Sequence, residues 1–374
     1  MKFPCFSVLL VLGCTGSDKN ESQDSSKPDT STSETGTTDT GNDTDWSSLD
    51  AALAEAFEDV HAPGAAFYTD HQELGAHLTL FGVQDLESEV PVDEDTAFRI
   101  ASVTKTFTAC LVLRLEEQGL LSTDDTLAMW VPEFEDAADV TLGHLLQNTG
   151  GIPDWGLSWY NDNYGSTWTE ELLLEQIIAN GVNTASGEAY VYSNPGFVLA
   201  GIAAGRADGS SYPEALRTHV LDPLGLEQTW LAGYEAARAT VAQGYTYSMM
   251  GWADVTENSD GTIDFASGGL VTTAPELQTF WRALHTGEVL SESSYERMVT
   301  RGTLTSGSDT DYGLGIGIKE TTNAGLYYGT DGGVYGYQAM LFWFEDRDEL
   351  SMNALMNVSG DITVPILVAV EELF

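Results

Sequence analysis

Apolar residues follow two spacings along this chain, and the switches between them mark its elements. From Ser48-Leu49 to Val60 they fall at helical spacing and predict a first helix. Gly64-Ala-Ala-Phe-Tyr-Thr69 and His77-Leu-Thr-Leu-Phe-Gly82 read as two strands around a polar turn, a hairpin. Val103, Phe107, Cys110 and Leu111, with Leu115 one turn on, return to helical spacing, and Gly119 after Gln118 marks the stop. A Gly/Pro-marked loop, Asn148-Thr-Gly-Gly-Ile-Pro-Asp154, precedes helical patterns at Glu170 to Ala179 and Phe197 to Ala204. The last stretch is strand-rich. Leu326-Tyr327-Tyr328 is one short strand. Tyr337 to Phe344 and Leu350 to Met356 are two more, joined by the charged turn Glu345 to Glu349, a spacing that forces an antiparallel pair. Ile362 to Leu373 closes the chain as an apolar helix. Strands near both ends with helices between predict an α/β chain of the α+β type. One central antiparallel sheet is built from both termini and flanked by helices, with a helical insertion in the middle.

The first residues break this texture. Met1-Lys2 and the apolar run Phe3 to Leu12 read as a secretory signal peptide over residues 1–13, too short to span a membrane. The run ends in Val11-Leu12-Gly13-Cys14, which resembles the bacterial lipoprotein signal and makes Cys14 the candidate lipidation site. Residues 14–47 are Ser, Thr, Asp, Gly and Asn with almost no apolar side chains. Such a segment cannot bury enough surface to offset its entropy, so a disordered tether of roughly 30 Å is expected. Residues 48–374 form the expected folded domain. The chain is therefore expected to be secreted and held at a bacterial envelope membrane through a lipid on Cys14.

Charge changes the picture of partners. Against 14 basic residues stand 58 acidic ones, a formal net charge of −44 over 374 residues. That excludes nucleic acid as an expected partner, along with attraction to anionic lipid surfaces. The cysteines are Cys5, Cys14 and Cys110, which leaves one thiol in the domain and no internal disulfide. The histidines show no metal-ligand spacing, so neither a metal nor a cofactor is expected.

The chemistry gathers around Ser102. Ser102 and Lys105 are three residues apart and share one helix face. A serine hydroxyl needs a group to take its proton, and a desolvated lysine amine can do so. Ser102-x-x-Lys105 is the only such spacing in the chain, and from residue 49 onward the only lysines are Lys105 and Lys319. Lys105 stands inside an apolar helix pattern, where a solvated role is unexpected. Tyr192-Ser-Asn194 sits before a second helical stretch; beside a lysine, a tyrosine can carry protons and an asparagine can hold an amide or orient the amine.

In this order, some ninety residues apart, these two motifs resemble the penicillin-recognising serine hydrolases, nearest to the branch of class C β-lactamases, D-alanyl-D-alanine carboxypeptidases and related esterases. Further marks are Thr141-Leu-Gly-His-Leu-Leu146, Gly150-Gly-Ile-Pro-Asp154, Ser267-Gly-Gly-Leu-Val-Thr272 and Tyr312-Gly-Leu-Gly315. The resemblance implies a β-lactamase/transpeptidase-like fold. It implies Ser102 as the acylated nucleophile, with Lys105 and Tyr192 handling its proton and Asn194 binding substrate. It implies an oxyanion hole from the Ser102 N–H and a backbone N–H after a third motif, usually Lys or His, a small residue, then Gly. The matching segment is Thr330-Asp331-Gly332-Gly333, with Gly333 at the donor position. Thr330, Gly332 and Gly333 are the further candidate substrate-binding residues.

Thr330 carries no charge where the family has a basic residue, and Asp331 beside it repels a carboxylate. Asn148 and Gly150 also replace residues that are commonly His and Ser. The expected activity is therefore that of an extracytoplasmic serine hydrolase, cleaving an ester, amide or peptide bond of a small-molecule or peptide substrate. Neutral esters and amides are favoured over β-lactams and D-Ala-D-Ala peptides. Two alternatives stay open: a β-lactamase or carboxypeptidase proper, and a non-catalytic envelope-binding protein on the same fold. Trp155, Trp159, Tyr160 and Trp168 either line the pocket mouth or pack under their own loop.

Overall fold

The computed structural model describes residues 46–321, 325–345 and 350–360. The expected signal, lipidation site and closing helix at 362–373 lie outside the described residues, as does all but the end of the expected tether.

Besides a three-stranded and a two-stranded sheet, the described residues form a main sheet of six strands with helices on both faces. Its strands are β1 (Gly64–His71), β2 (Gly75–Gly82), β3 (Gly317–Thr321), β4 (Gly325–Val334), β5 (Tyr337–Phe344) and β6 (Leu350–Met356). Their order across the sheet is β2-β1-β6-β5-β4-β3, with every pair antiparallel. Strands from both ends of the domain thus meet at the β1–β6 seam, where Ala65 faces Met356 and Asp70 faces Ser351.

Period-two alternation explains why β5 and β6 read as continuous apolar runs. Met340, Phe342 and Phe344 of β5 join Met352, Ala354 and Met356 of β6 on one face. That face is covered by helix α1 (Ser47–Val60) through Leu49, Leu53 and Ala56. Ala339, Leu341 and Trp343 point the other way, into the larger core. A sheet covered on both sides leaves no polar face to alternate with. Of the polar exceptions, Asn353 donates to Gln278 and to the Ala274 carbonyl, and Gln278 donates to Ser351, while Asn353 Oδ1 has no hydrogen-bond partner among the described residues.

Helix α2 (Thr104–Glu117) runs through that larger core, and its residues are buried almost all round. It is the expected helix, with one difference. Ser102 lies not in its first turn but in a 3₁₀ turn, Ala101–Val103, that leads into it. At the far end Gly119 takes φ 71°. Gly119 N–H bonds to Glu116 and Leu120 N–H to Leu115, the paired closure that favours glycine at this place. Helix α2 packs against helix α3 (Asn194–Asp208) and shares the larger core with the sheet, leaving only Glu117 at its end exposed. Ser193 caps α3 by accepting from Gly196 N–H at 2.9 Å, and Pro195 sits in the first turn. The hairpin predicted at Gly64–Gly82 forms, with Gly64 opposite Gly82. Strand β3 has no counterpart in the sequence pattern, and β4 is far longer than Leu326 to Tyr328.

Candidate active site

Four elements bring the site together. The 3₁₀ turn before α2 supplies Ser102, the first turn of α2 supplies Lys105, the segment entering α3 supplies Tyr192 and Asn194, and β4 supplies Thr330 to Gly333. Ala101 adopts φ 46°, left-handed backbone for a residue with a β-carbon, immediately before Ser102. The Ser102 hydroxyl oxygen is 2.6 Å from the Tyr192 hydroxyl and 3.0 Å from Lys105 Nζ. Lys105 Nζ also donates to Asn194 Oδ1 and to the Ser267 carbonyl oxygen, each at 2.7 Å. The ammonium position lies 4.8 Å from the centre of the Tyr192 ring.

Lys105 is 1% exposed. Burial pushes its pKa down to about 7, and the carboxylates of Asp154, Asp264 and Asp331 pull it partly back. Burial pushes Tyr192 the other way, far above its ordinary 10, despite the hydrogen bond to Ser102. The two groups therefore differ in readiness at neutral pH: with its value near 7 the amine is divided between its charged and neutral forms, and the phenol keeps its proton. A neutral amine has two N–H donors and one lone pair. Lys105 Nζ donates to three acceptors, Ser102 Oγ, Asn194 Oδ1 and the Ser267 carbonyl, one for each N–H of the ammonium; a neutral amine that keeps the last two would turn its lone pair to the Ser102 hydroxyl.

Strand β4 lies directly against the Ser102 backbone. A β-carbon on Gly332 would stand 2.6 Å from Ser102 N and 2.6 Å from the Ile100 carbonyl. The ladder sets what Gly333 can do. Val334 pairs with Tyr337 across the two-residue turn Tyr335-Gly336, which makes that pair hydrogen-bonded. Alternation then places Gly333, opposite Gln338, with its N–H pointing away from β5. The β3 pairing stops at Gly317 opposite Gly329, so β3 does not reach that N–H either. Thr330 is half-buried, and Asp331 is exposed on the opposite face of the strand. The Lys319 ammonium approaches Asp331 only to 3.9 Å, with both side chains about half exposed.

The sequence left other participants unassigned. Ser267 contributes its backbone carbonyl, which no side-chain pattern announces. Asp264 is buried, accepts from Tyr160 Oη at 2.6 Å, and is pushed by burial up to about 6. Asp154 accepts from both the backbone N–H and Nδ2 of Asn194, at 2.9 and 3.0 Å. Asp154 ends the Gly150–Asp154 segment quoted above, Asp264 lies just before Ser267, and their burial is a property of the fold alone. Asn148 takes left-handed backbone at φ 57° and accepts from Ser193 N–H at 3.0 Å, holding the segment that carries Tyr192. The tryptophans pack under their loop: Trp155 on Trp159 at 4.8 Å between ring centres, Trp159 on Trp168 at 5.2 Å.

Residues 49–368 match the beta-lactamase family. The chain belongs to that family of serine hydrolases. Penicillin-binding protein 4* of Bacillus subtilis (strain 168) is 26% identical over 282 residues, 71% of this chain and 62% of that protein. Esterase EstB of Burkholderia gladioli is 31% identical over 210 residues, 52% of this chain and 53% of that one. The matches thus span less than two thirds of either relative's length. The D-amino acid amidase from Ochrobactrum anthropi SV3 complexed with L-phenylalanine amide has the same fold, with a TM-score of 0.77 at 24% identity, covering 87% of this chain and 98% of that one.

Proposed function

We propose that the protein hydrolyses a neutral ester or amide through an acyl-enzyme on Ser102. The observation that carries the reading is the surroundings of Lys105: Asn194 Oδ1 and the Ser267 carbonyl hold two of its N–H groups, and the third points at the Ser102 hydroxyl 3.0 Å away, the place a lone pair takes once the amine is neutral. In the proposed course the Ser102 oxygen attacks the carbonyl carbon while its proton passes to Lys105 Nζ. The carbonyl oxygen gains negative charge against the backbone N–H groups of Ser102 and Gly333. Tyr192 gives its proton to the departing alcohol or amine as the bond to carbon breaks, and Lys105 returns a proton to Tyr192. Water then attacks the acyl-enzyme by the same route, releasing the acid and restoring Ser102. Tyr192 serves as carrier rather than first base, because its phenolate is the disfavoured form at neutral pH.

Thr330 and Asp331 support the choice of substrate. No positive side chain stands at Thr330, and Asp331 acts electrostatically on Lys105, Tyr190 and Tyr192 from the adjoining position. A substrate carboxylate placed there meets a like charge. The esterase among the relatives fits this reading. The setting we propose with it is extracytoplasmic, on a lipid anchor at Cys14, with residues 14–47 as tether and 48–374 as the working domain. Among the described residues no helix is long and apolar enough to cross a membrane.

The test is intact-protein mass after mixing residues 46–374 with a fluorophosphonate probe and, separately, with a penicillin, with Ser102→Ala in parallel. A Ser102-dependent adduct with the probe alone is the expected result. Adducts with both would restore the β-lactamase or carboxypeptidase reading. No adduct with either, from folded protein, would overturn the hydrolase reading in favour of a binding protein.

A further inference from the structure

Asp154 touches none of the reacting atoms, yet it is built into the site. Its carboxylate takes both the backbone and the side-chain N–H of Asn194 on one oxygen. A side-chain amide fits a cavity either way round, since its oxygen and its NH₂ have nearly the same shape. A carboxylate only accepts. Asp154 therefore turns the Asn194 NH₂ toward itself, which leaves Oδ1 facing Lys105 at 2.7 Å. With the amide reversed, an NH₂ would point at the amine and compete with Ser102 for its lone pair.

We propose that Asp154 is a positioning residue that, by fixing the Asn194 amide, aims the Lys105 lone pair at the Ser102 hydroxyl. The proposal rests on the reading of Lys105 as proton acceptor and deepens it. It also carries a sign. The charged or titratable groups facing Lys105 are Asp154 from the loop before Leu157–Asn163, Asp264 from the turn before Phe265–Gly268, Asp331 from β4, and Tyr192 and Ser102 from the site itself. The three carboxylates support the ammonium form against burial. Asp154→Asn removes one of them and permits the reversed amide, and both effects disfavour the ammonium. Lys105 should then titrate lower. A merely structural role predicts the opposite: loosening admits water, and the amine returns toward an ordinary lysine value.

The experiment is an NMR titration of lysine side chains labelled with carbon-13 in the full chain, which has only Lys2, Lys19, Lys27, Lys105 and Lys319 to assign. Lys105 should titrate near 7 in the wild type. In Asp154→Asn it should fall by about half to one unit. With a neutral ester, kcat should drop about tenfold to a hundredfold with KM within about threefold, part of what a general base supplies. Formate should restore part of the activity of Asp154→Ala, a comparison that serves equally if the Asn variant folds poorly. In an Asn194→Ala background, Asp154→Asn should cost less than about twofold more, because the effect runs through that amide. An unchanged or raised Lys105 titration, or losses that multiply, would overturn the proposal. Absence of any Ser102-dependent turnover would instead overturn the hydrolase reading, and the lysine titration still decides the role of Asp154.

Discussion

Gly332→Ala is the sharpest perturbation the geometry offers. The added methyl would sit 2.6 Å from Ser102 N, 2.6 Å from the Ile100 carbonyl and 3.1 Å from the Ala101 β-carbon. Two of these are backbone atoms in a turn already strained at Ala101, so no side chain can swing aside. Ordinary contact needs about 3.5 Å, so β4 and the nucleophile turn must separate by roughly 1 Å. The stability loss should be about 1–3 kcal/mol, as for other overpacked sites. The effect on rate should be larger in proportion. A displacement of about 1 Å costs on the order of a hundredfold, and loss of one oxyanion donor costs about 10²–10³ in kcat. Gly333→Ala is the companion. It keeps its backbone N–H, and its methyl would meet only the end of the Gln338 side chain, 2.7 Å from Oε1, which can rotate. Its loss should stay below about tenfold. The assay is hydrolysis of a neutral ester and the rate of fluorophosphonate adduct formation, with thermal melting to establish that each variant is folded. A folded Gly332→Ala within about twofold of wild type would refute the reasoning. So would a greater loss from Gly333→Ala.

With Lys105 pushed down to about 7 and required as the neutral amine, kcat/KM should climb about tenfold per pH unit below 7 and level off above it. Because the folded value lies below the unfolded one, the unfolded chain binds more protons between the two, so this residue makes stability rise with pH from about 7 to the ordinary lysine range. A rate limb above pH 9 would exclude Lys105 as the base. Lipid attachment should add the mass of acyl chains to Cys14 when the whole gene product is made in a bacterial host, and Cys14→Ser should abolish it; protein that stays lipid-free with Cys14 intact would exclude the anchor.

The sequence determined the parts whose physics is local. Helical spacing located α1, α2 and α3, and short apolar runs bounded by turn residues located β1, β2, β5 and β6. A lysine inside an apolar helix, three residues from a serine, marked the candidate site before any contact was known. Strand β3 escaped because Gly317-Ile-Lys-Glu-Thr321 lacks an apolar alternation: it is an edge strand with one neighbour, and the pattern follows packing rather than backbone pairing. The 3₁₀ turn at Ser102 escaped for a related reason, since its backbone lies against Gly332, about 230 residues away. Only tertiary structure decided which acids are buried. Asp154 and Asp264 look like any of the chain's 58 acidic residues. They differ because folding removes water from around them, which raises both and ties one to Asn194 and the other to Tyr160. Which residues the chain holds is written in one dimension. Which of their charges survive loss of water depends on neighbours that only the folded chain brings together.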